Sequence, residues 1–188
     1  MRIISGNLKG KKIVQPNTKN TRPLKDLTKE SIFNIMEHSN LLKFSFEKSV
    51  ILDLFSGVGS FGLECLSRGA KSVIFIENYS ETIKILKKNI NNLKCEEKTQ
   101  IITEDIFKIK KLNQLHNQKF DVIFIDPPYK ERKLNNLLND IIYLKLLKKN
   151  GIIIIHRHKN EDEFYLKKFK ILKTKTYGIS KIIFGLLT

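Results

Sequence analysis

Five short runs of the chain, residues 50–54, 72–76, 100–103, 120–125 and 151–155, are apolar at nearly every position. A strand with one wet face alternates apolar and polar side chains, so runs without alternation belong to strands buried on both faces, as in parallel sheets. Between them, residues 60–67, 80–93 and 134–147 carry apolar side chains at helical spacing. Alternating strands and helices imply right-handed βαβ units and a doubly wound α/β sheet. The rhythm breaks after Phe164. Residues 170–177 and 181–187, joined near Gly178, read as an antiparallel hairpin at the sheet edge. Ahead of the first run, residues 2–5 and 12–14 read as a small hairpin around Gly6 and Gly10. A polar loop then reaches Pro23, and residues 27–36 have the spacing of an amphipathic helix. The expected organisation is a hairpin extension and loop over residues 1–26, followed by one α/β domain over residues 27–188.

The length, 188 residues, suits one compact domain with a small appendage. With 41% hydrophobic and 29% charged residues the chain can build a core, which excludes wholesale disorder. No apolar run approaches the roughly 20 residues that span a bilayer, and the first residues lack the apolar stretch of a secretory signal. Cys65 and Cys95 form no CxxC pair, which argues against a disulfide scaffold or structural zinc and fits a reducing cytoplasm. The net charge of +16 points to a polyanionic partner, of which nucleic acid is the commonest. Codon bias in an AT-rich genome also raises Lys, Ile and Asn with no function attached. The distribution separates the two. Residues 1–50 carry 10 basic and 4 acidic side chains, residues 51–140 carry 14 and 12, and residues 141–188 carry 11 and 3. Bias alone would spread the excess evenly, so basic ends around a near-neutral middle argue for a surface that faces a polyanion.

Asp53-Leu54-Phe55-Ser56-Gly57-Val58-Gly59-Ser60-Phe61-Gly62 follows the first strand and opens a helix. Gly57, Gly59 and Gly62 satisfy a G-x-G-x-x-G pattern that lets backbone turn tightly and approach a ligand. Glu77, with Asn78 beside it, ends the next strand, where a carboxylate can bind ribose hydroxyls. Two cofactors compete for this loop. A dinucleotide would place pyrophosphate at the helix N-terminus. S-adenosylmethionine carries no phosphate but presents an ammonium and a sulfonium. Asp53 would repel the first and suit the second; a tight turn with a solvated Asp53 is the third reading. Asp105, at the end of the third strand, can accept from an adenine amino group with Ile106 packing on the ring, or can cap a helix. Phe55 reads as packing beside the cofactor.

Asp126-Pro127-Pro128-Tyr129 follows the fourth strand. Neither proline can continue a ladder or a helix, so the loop is stiff. It lies at the carboxyl edge of the strands, where open α/β sheets bind ligands. A carboxylate and an aromatic ring on a stiff loop suit an exocyclic amine on a flat base. Asp126 accepts one amine hydrogen, the Pro127 carbonyl the other, and Tyr129 offers a stacking face for a base out of its stack. Arg22, held extended before Pro23, reaches for a cofactor carboxylate or an RNA phosphate, or stays solvated. His156, Arg157 and His158 lie beyond a strand tip, as RNA contacts or solvated side chains; no third ligand makes them a metal site.

Together these motifs resemble class I, Rossmann-like S-adenosylmethionine-dependent methyltransferases that act on amines. More closely, the chain resembles the bacterial RsmD family of 16S rRNA guanine-N2 methyltransferases. The likeness begins at Arg2–Gly6 and Lys9–Lys12. It takes in Thr21-Arg22-Pro23 and Lys29–Ile35, then Asp53–Gly62, Leu63–Ala70 and Asp126–Tyr129. The resemblance implies a mostly parallel seven-stranded sheet with an antiparallel C-terminal hairpin. It also implies an N-terminal hairpin that helps hold RNA, which makes Lys9, Lys11 and Lys12 candidate RNA contacts; Arg22 and Arg157 are candidates from their own positions, and His156-Arg157-His158 departs from the family pattern. The implied partner is 16S rRNA in an assembled or nearly assembled small subunit; a monomer with no metal and no membrane is the expectation from the sequence itself. Adenine N6 or cytosine N4 as the acceptor, and a non-catalytic ribosome-assembly protein, remain as alternatives at this point.

Overall fold

The computed structural model describes residues 1–16, 26–42, 44–107, 115–128, 131–161 and 165–188. Its strands are β1 (Val50–Leu54), β2 (Ser72–Ile76), β3 (Thr99–Ile102), β4 (Phe120–Ile125), β5 (Leu147–His158), β6 (Phe169–Tyr177) and β7 (Ser180–Leu187). They form one sheet in the order β3-β2-β1-β4-β5-β7-β6. Neighbours from β3 to β5 pair parallel, and β7 pairs antiparallel with both β5 and β6. The helices among the described residues are α1 (Asp26–His38), α2 (Ser60–Ser67), α3 (Ser80–Leu93) and α4 (Leu134–Tyr143). This is the doubly wound sheet with an antiparallel edge that the aliphatic runs imply.

Successive side chains of a strand point to opposite faces, and here each face meets its own core. Ile51, Val122 and Ile154 join one cluster with Phe33 of α1, Leu63 of α2 and Leu86 of α3. Leu52, Ile123 and Ile153 join the other with Leu137, Leu138 and Ile141 of α4. Helices on both faces explain why the strands read as unbroken apolar runs.

Three elements differ from the sequence expectation. The helix expected over residues 134–147 ends at Tyr143, where Lys145 turns left-handed at φ 50 and the Leu146 amide closes onto the Ile141 carbonyl at 3.1 Å. Glycine is the usual residue at such a stop, so the sequence carries no stop signal there. β5 starts earlier than the expected residue 151 because the polar residues 148–150 form an irregularity between the Phe120–Leu147 and Val122–Ile152 pairs. The N-terminal hairpin forms around one antiparallel bridge, Arg2 with Lys12, with the Ile3, Gly10 and Ile13 amides bonding the Lys11, Ile3 and Met1 carbonyls at 2.9, 2.9 and 3.0 Å, but its pairing stops short of Ile4 and Ser5.

The cause of that last difference is Glu64, a fully buried acid on α2. Its carboxylate accepts the Ile4 and Ser5 amides at 2.8 and 2.9 Å, so those groups have no ladder to join. Lys29 of α1, equally buried, sits 3.5 Å from Glu64 and donates to the Arg2 carbonyl at 2.7 Å. Burial lowers the Lys29 pKa, and the Glu64 charge opposes that shift. Arg68 closes the group, bonding Glu64 at 3.0 Å and Glu37 at 2.7 Å with its guanidinium 4.5 Å from the centre of the Phe33 ring. With Ile3 and Ile13 each 1% exposed, the segment packs into the first core.

Candidate active site at the β1–β4 switch point

The chain runs outward from β1 through β2 to β3, then returns to place β4 on the other side of β1. Ligands of open α/β sheets bind where strand order reverses, beyond the carboxyl ends of the strands. Here that crevice lies above β1 and β4, and the loops from β1, β2 and β4 are tied to one another. The Ser56 amide bonds the Ile76 carbonyl at 3.1 Å, the Glu77 amide bonds Ile102 at 3.1 Å, and the Asp126 amide bonds Leu54 at 3.3 Å.

Asp53 is 1% exposed. Its Oδ2 accepts the Gly62 amide at 3.0 Å, while Oδ1 is buried with no hydrogen-bond partner. Burial pushes its carboxyl well above the usual range; the Gly62 amide opposes that, and the charges of Asp126 and Glu77 add to it. An acid in this position takes up a proton or a cation. Phe55, just past the strand, is held left-handed at φ 58 with its half-buried ring 5.8 Å from that of Phe107. A non-glycine residue there is strained, and such strain concentrates at functional sites.

The three glycines have three different reasons. Gly57 has φ 56, and a Cβ on it would meet nothing within 4 Å, so it faces open space. Gly59 has φ 84, and a Cβ on it would lie 2.5 Å from Leu86 Cδ1. Gly62 lets α2 approach β2, since its Cβ would lie 2.4 Å from the Phe75 ring. Two anchors hold the loop. Glu77 accepts the Gly57 amide at 2.8 Å and the Asn78 and Tyr79 amides at 2.9 Å each. Asn89 of α3, fully buried, donates to the Val58 and Val14 carbonyls at 3.0 Å and accepts the Val14 amide at 2.8 Å.

Asp126 follows β4 with its side chain 23% exposed, and its Oδ1 lies 2.8 Å from Nδ1 of His156. Pro127 is buried and Pro128 exposed. Arg157 bonds the Glu131 carbonyl at 3.1 Å, the Glu161 carboxylate at 2.8 Å and the Pro128 carbonyl at a longer 3.4 Å. The expectation of solvated or RNA-facing side chains at positions 156 and 157 is corrected by this geometry. His156 is 3% and Arg157 6% exposed, because β5 continues to His158 and carries both into the sheet. Arg157 is committed to the loop after β4. Asp105 accepts the Phe107 amide at 3.0 Å, a local turn cap, and Ile106 is buried in the second core cluster. Asn78, Lys9, Lys11 and Lys12 are exposed. Arg22 and Tyr129 lie outside the described residues.

No motif in the sequence marks Glu64, Asn89 or the pairing of His156 with Asp126. The one signal for the first two is a polar residue in line with the apolar face of its helix, at Leu63-Glu64 and at Asn89-Ile90.

Sheet order, glycine loop and acids at the switch point define a Rossmann-like methyltransferase fold. A solved Haemophilus influenzae chain, provisionally named a methylase, superposes with a TM-score of 0.75 at 32% identity, covering 98% of this chain and 96% of that one. The model of the family described as conserved hypothetical protein 95 matches residues 1–185. Ribosomal RNA small subunit methyltransferase D of Haemophilus influenzae is 35% identical over 182 residues, covering 95% of this chain and 90% of its own length. The protein of the same name from Buchnera aphidicola is 35% identical over 173 residues, with 92% and 86% covered. The chain belongs to this family, that of the RsmD proteins.

Proposed function

We propose that this chain is an S-adenosylmethionine-dependent methyltransferase that modifies the exocyclic N2 of a guanine in 16S rRNA. The observation that carries the reading is Asp53, a buried acid with an unpaired oxygen beside an open glycine loop, one strand away from Asp126. An ammonium group fits that oxygen. A pyrophosphate would face Asp53, Glu77 and Asp126 together, so a dinucleotide does not fit. The names of the relatives supply the substrate class.

Bound S-adenosylmethionine supplies a methyl group already activated by its sulfonium. The residues of the chain bind and orient. Asp53 holds the ammonium, and Glu77, with three of about four lone-pair sites engaged, accepts a ribose hydroxyl. Asn78 lies beside that ribose. Asp105 accepts from the adenine amino group, with Phe55 and Ile106 packed alongside. Asp126 and the Pro127 carbonyl accept the two amine hydrogens, and Pro128 keeps the loop stiff. Tyr129 stacks on the guanine. These contacts draw the nitrogen lone pair out of conjugation and aim it; Asp126 or water takes the proton released as the new bond forms. Lys9, Lys11, Lys12 and Arg22 contact RNA phosphates, and the chain works as a cytoplasmic monomer on an assembled or nearly assembled subunit. No described helix is long and apolar enough to cross a membrane.

Nucleoside mass spectrometry of 16S rRNA from a strain lacking this gene tests the reading. One N2-methylguanosine is lost from the mutant; an unchanged modification profile would contradict it.

A further inference from the structure

We infer that His156 is a positioning residue that sets the rotamer of Asp126, an inference that rests on the proposed methyltransferase reaction. Its Nδ1 lies 2.8 Å from Asp126 Oδ1, the ring is 3% exposed, and Nε2 is buried without a hydrogen-bond partner. An ionised carboxylate can only accept, so the proton between the two belongs to Nδ1. The bare Nε2 then buries a lone pair.

The consequence is a division of labour between the two oxygens of Asp126. Oδ1 is taken by the imidazole, and Oδ2 is left to accept the amine hydrogen. An exposed aspartate turns freely about its side-chain bonds; this one is fixed before substrate arrives. Groups that orient an acceptor in this way matter because reorganisation at the moment of reaction is what preorganised sites avoid. The neighbouring residue acts on the same loop. Ile154 belongs to one core cluster and Ile155 to the other, so His156 and Arg157 leave β5 on opposite faces. His156 fixes the Asp126 side chain, and Arg157 holds the Glu131 carbonyl and reaches the Pro128 carbonyl. The end of β5 thus grips the loop after β4 from both sides.

Single-turnover methylation of small-subunit particles lacking the mark, at saturating S-adenosylmethionine, tests the role. His156→Ala lowers the transfer rate by about tenfold or more, as expected when an orienting partner is lost. Its affinities for S-adenosylhomocysteine and for the particle stay near wild type. His156→Asn, whose amide N–H can stand where Nδ1–H stands, recovers most of the rate. A second readout needs no activity: 15N NMR of the free protein finds the His156 proton on Nδ1, and Asp126→Ala abolishes that preference. A proton on Nε2, a wild-type rate in His156→Ala, or an Asn variant as slow as Ala overturns the inference. If His156→Ala fails to fold, the Asn variant and the NMR measurement decide. A wild-type chain that transfers no methyl overturns the proposed function instead, and the tautomer still tests the pairing.

Discussion

Asp53 and Asp126 stand at neighbouring strand tips in opposite circumstances. Asp126 has the His156 ring as partner for Oδ1 and a side chain 23% exposed, whereas Asp53 is sealed with one oxygen unpaired. The sign of the Asp53 shift has a consequence for stability. Its pKa is raised in the folded chain, so its contribution is fully present below the unfolded value of about 3.9 and is lost as pH rises through the folded value. At neutral pH Asp53 therefore costs the free protein stability. Asp53→Asn is expected to raise the melting temperature of the free protein at pH 7 while abolishing the gain in melting temperature from S-adenosylhomocysteine. Glu77→Ala should weaken that ligand by about 1–3 kcal/mol in calorimetry. Asp53, Gly57, Gly59 and Glu77 were legible in the sequence because spacing after a strand marks them. His156 was not: it reads as lying past a strand end, and only the added length of β5 buries it.

At the scale of elements, every parallel strand was legible, since burial on both faces leaves an apolar run that no loop would carry. The N-terminal segment was legible as a hairpin but not as part of the core, because its anchor Glu64 is a single acid far along the chain whose neighbours give no hint of two backbone amides arriving. Glu64→Ala strips Lys29 of its partner inside the core. Breaking a buried pair in this way costs about 3–5 kcal/mol, to be read as a lower urea midpoint. Residues 1–14 also brace the glycine loop, since Asn89 joins Val14 to it through Val58. Deleting them should lower both stability and affinity for S-adenosylhomocysteine. A truncated chain with unchanged cofactor affinity would show that the loop stands without this brace.

Across the whole molecule, the basic ends of the sequence meet different fates. Lys9, Lys11 and Lys12 project from the docked N-terminal segment, and Lys170 and Lys175 from the edge strand β6, while Lys29, Arg157 and Lys181 are buried. Lysines on an edge strand also block pairing with other chains, so the N-terminal three are the better candidates for binding phosphate. Replacing them with Gln should weaken binding to small-subunit particles and flatten its salt dependence by about one unit of slope for each phosphate left without its lysine. In the proposed reaction the methyl group passes to a guanine amine whose hydrogen Asp126 accepts. The most direct test of that reaction is single-turnover transfer from labelled S-adenosylmethionine to unmethylated small-subunit particles, with the product nucleoside identified by mass spectrometry. The wild-type chain is expected to yield N2-methylguanosine, and Asp126→Ala to react about a hundredfold more slowly or worse. Particle binding should be little changed in that variant. Label on another base, or an Asp126→Ala chain at the wild-type rate, would contradict that reaction.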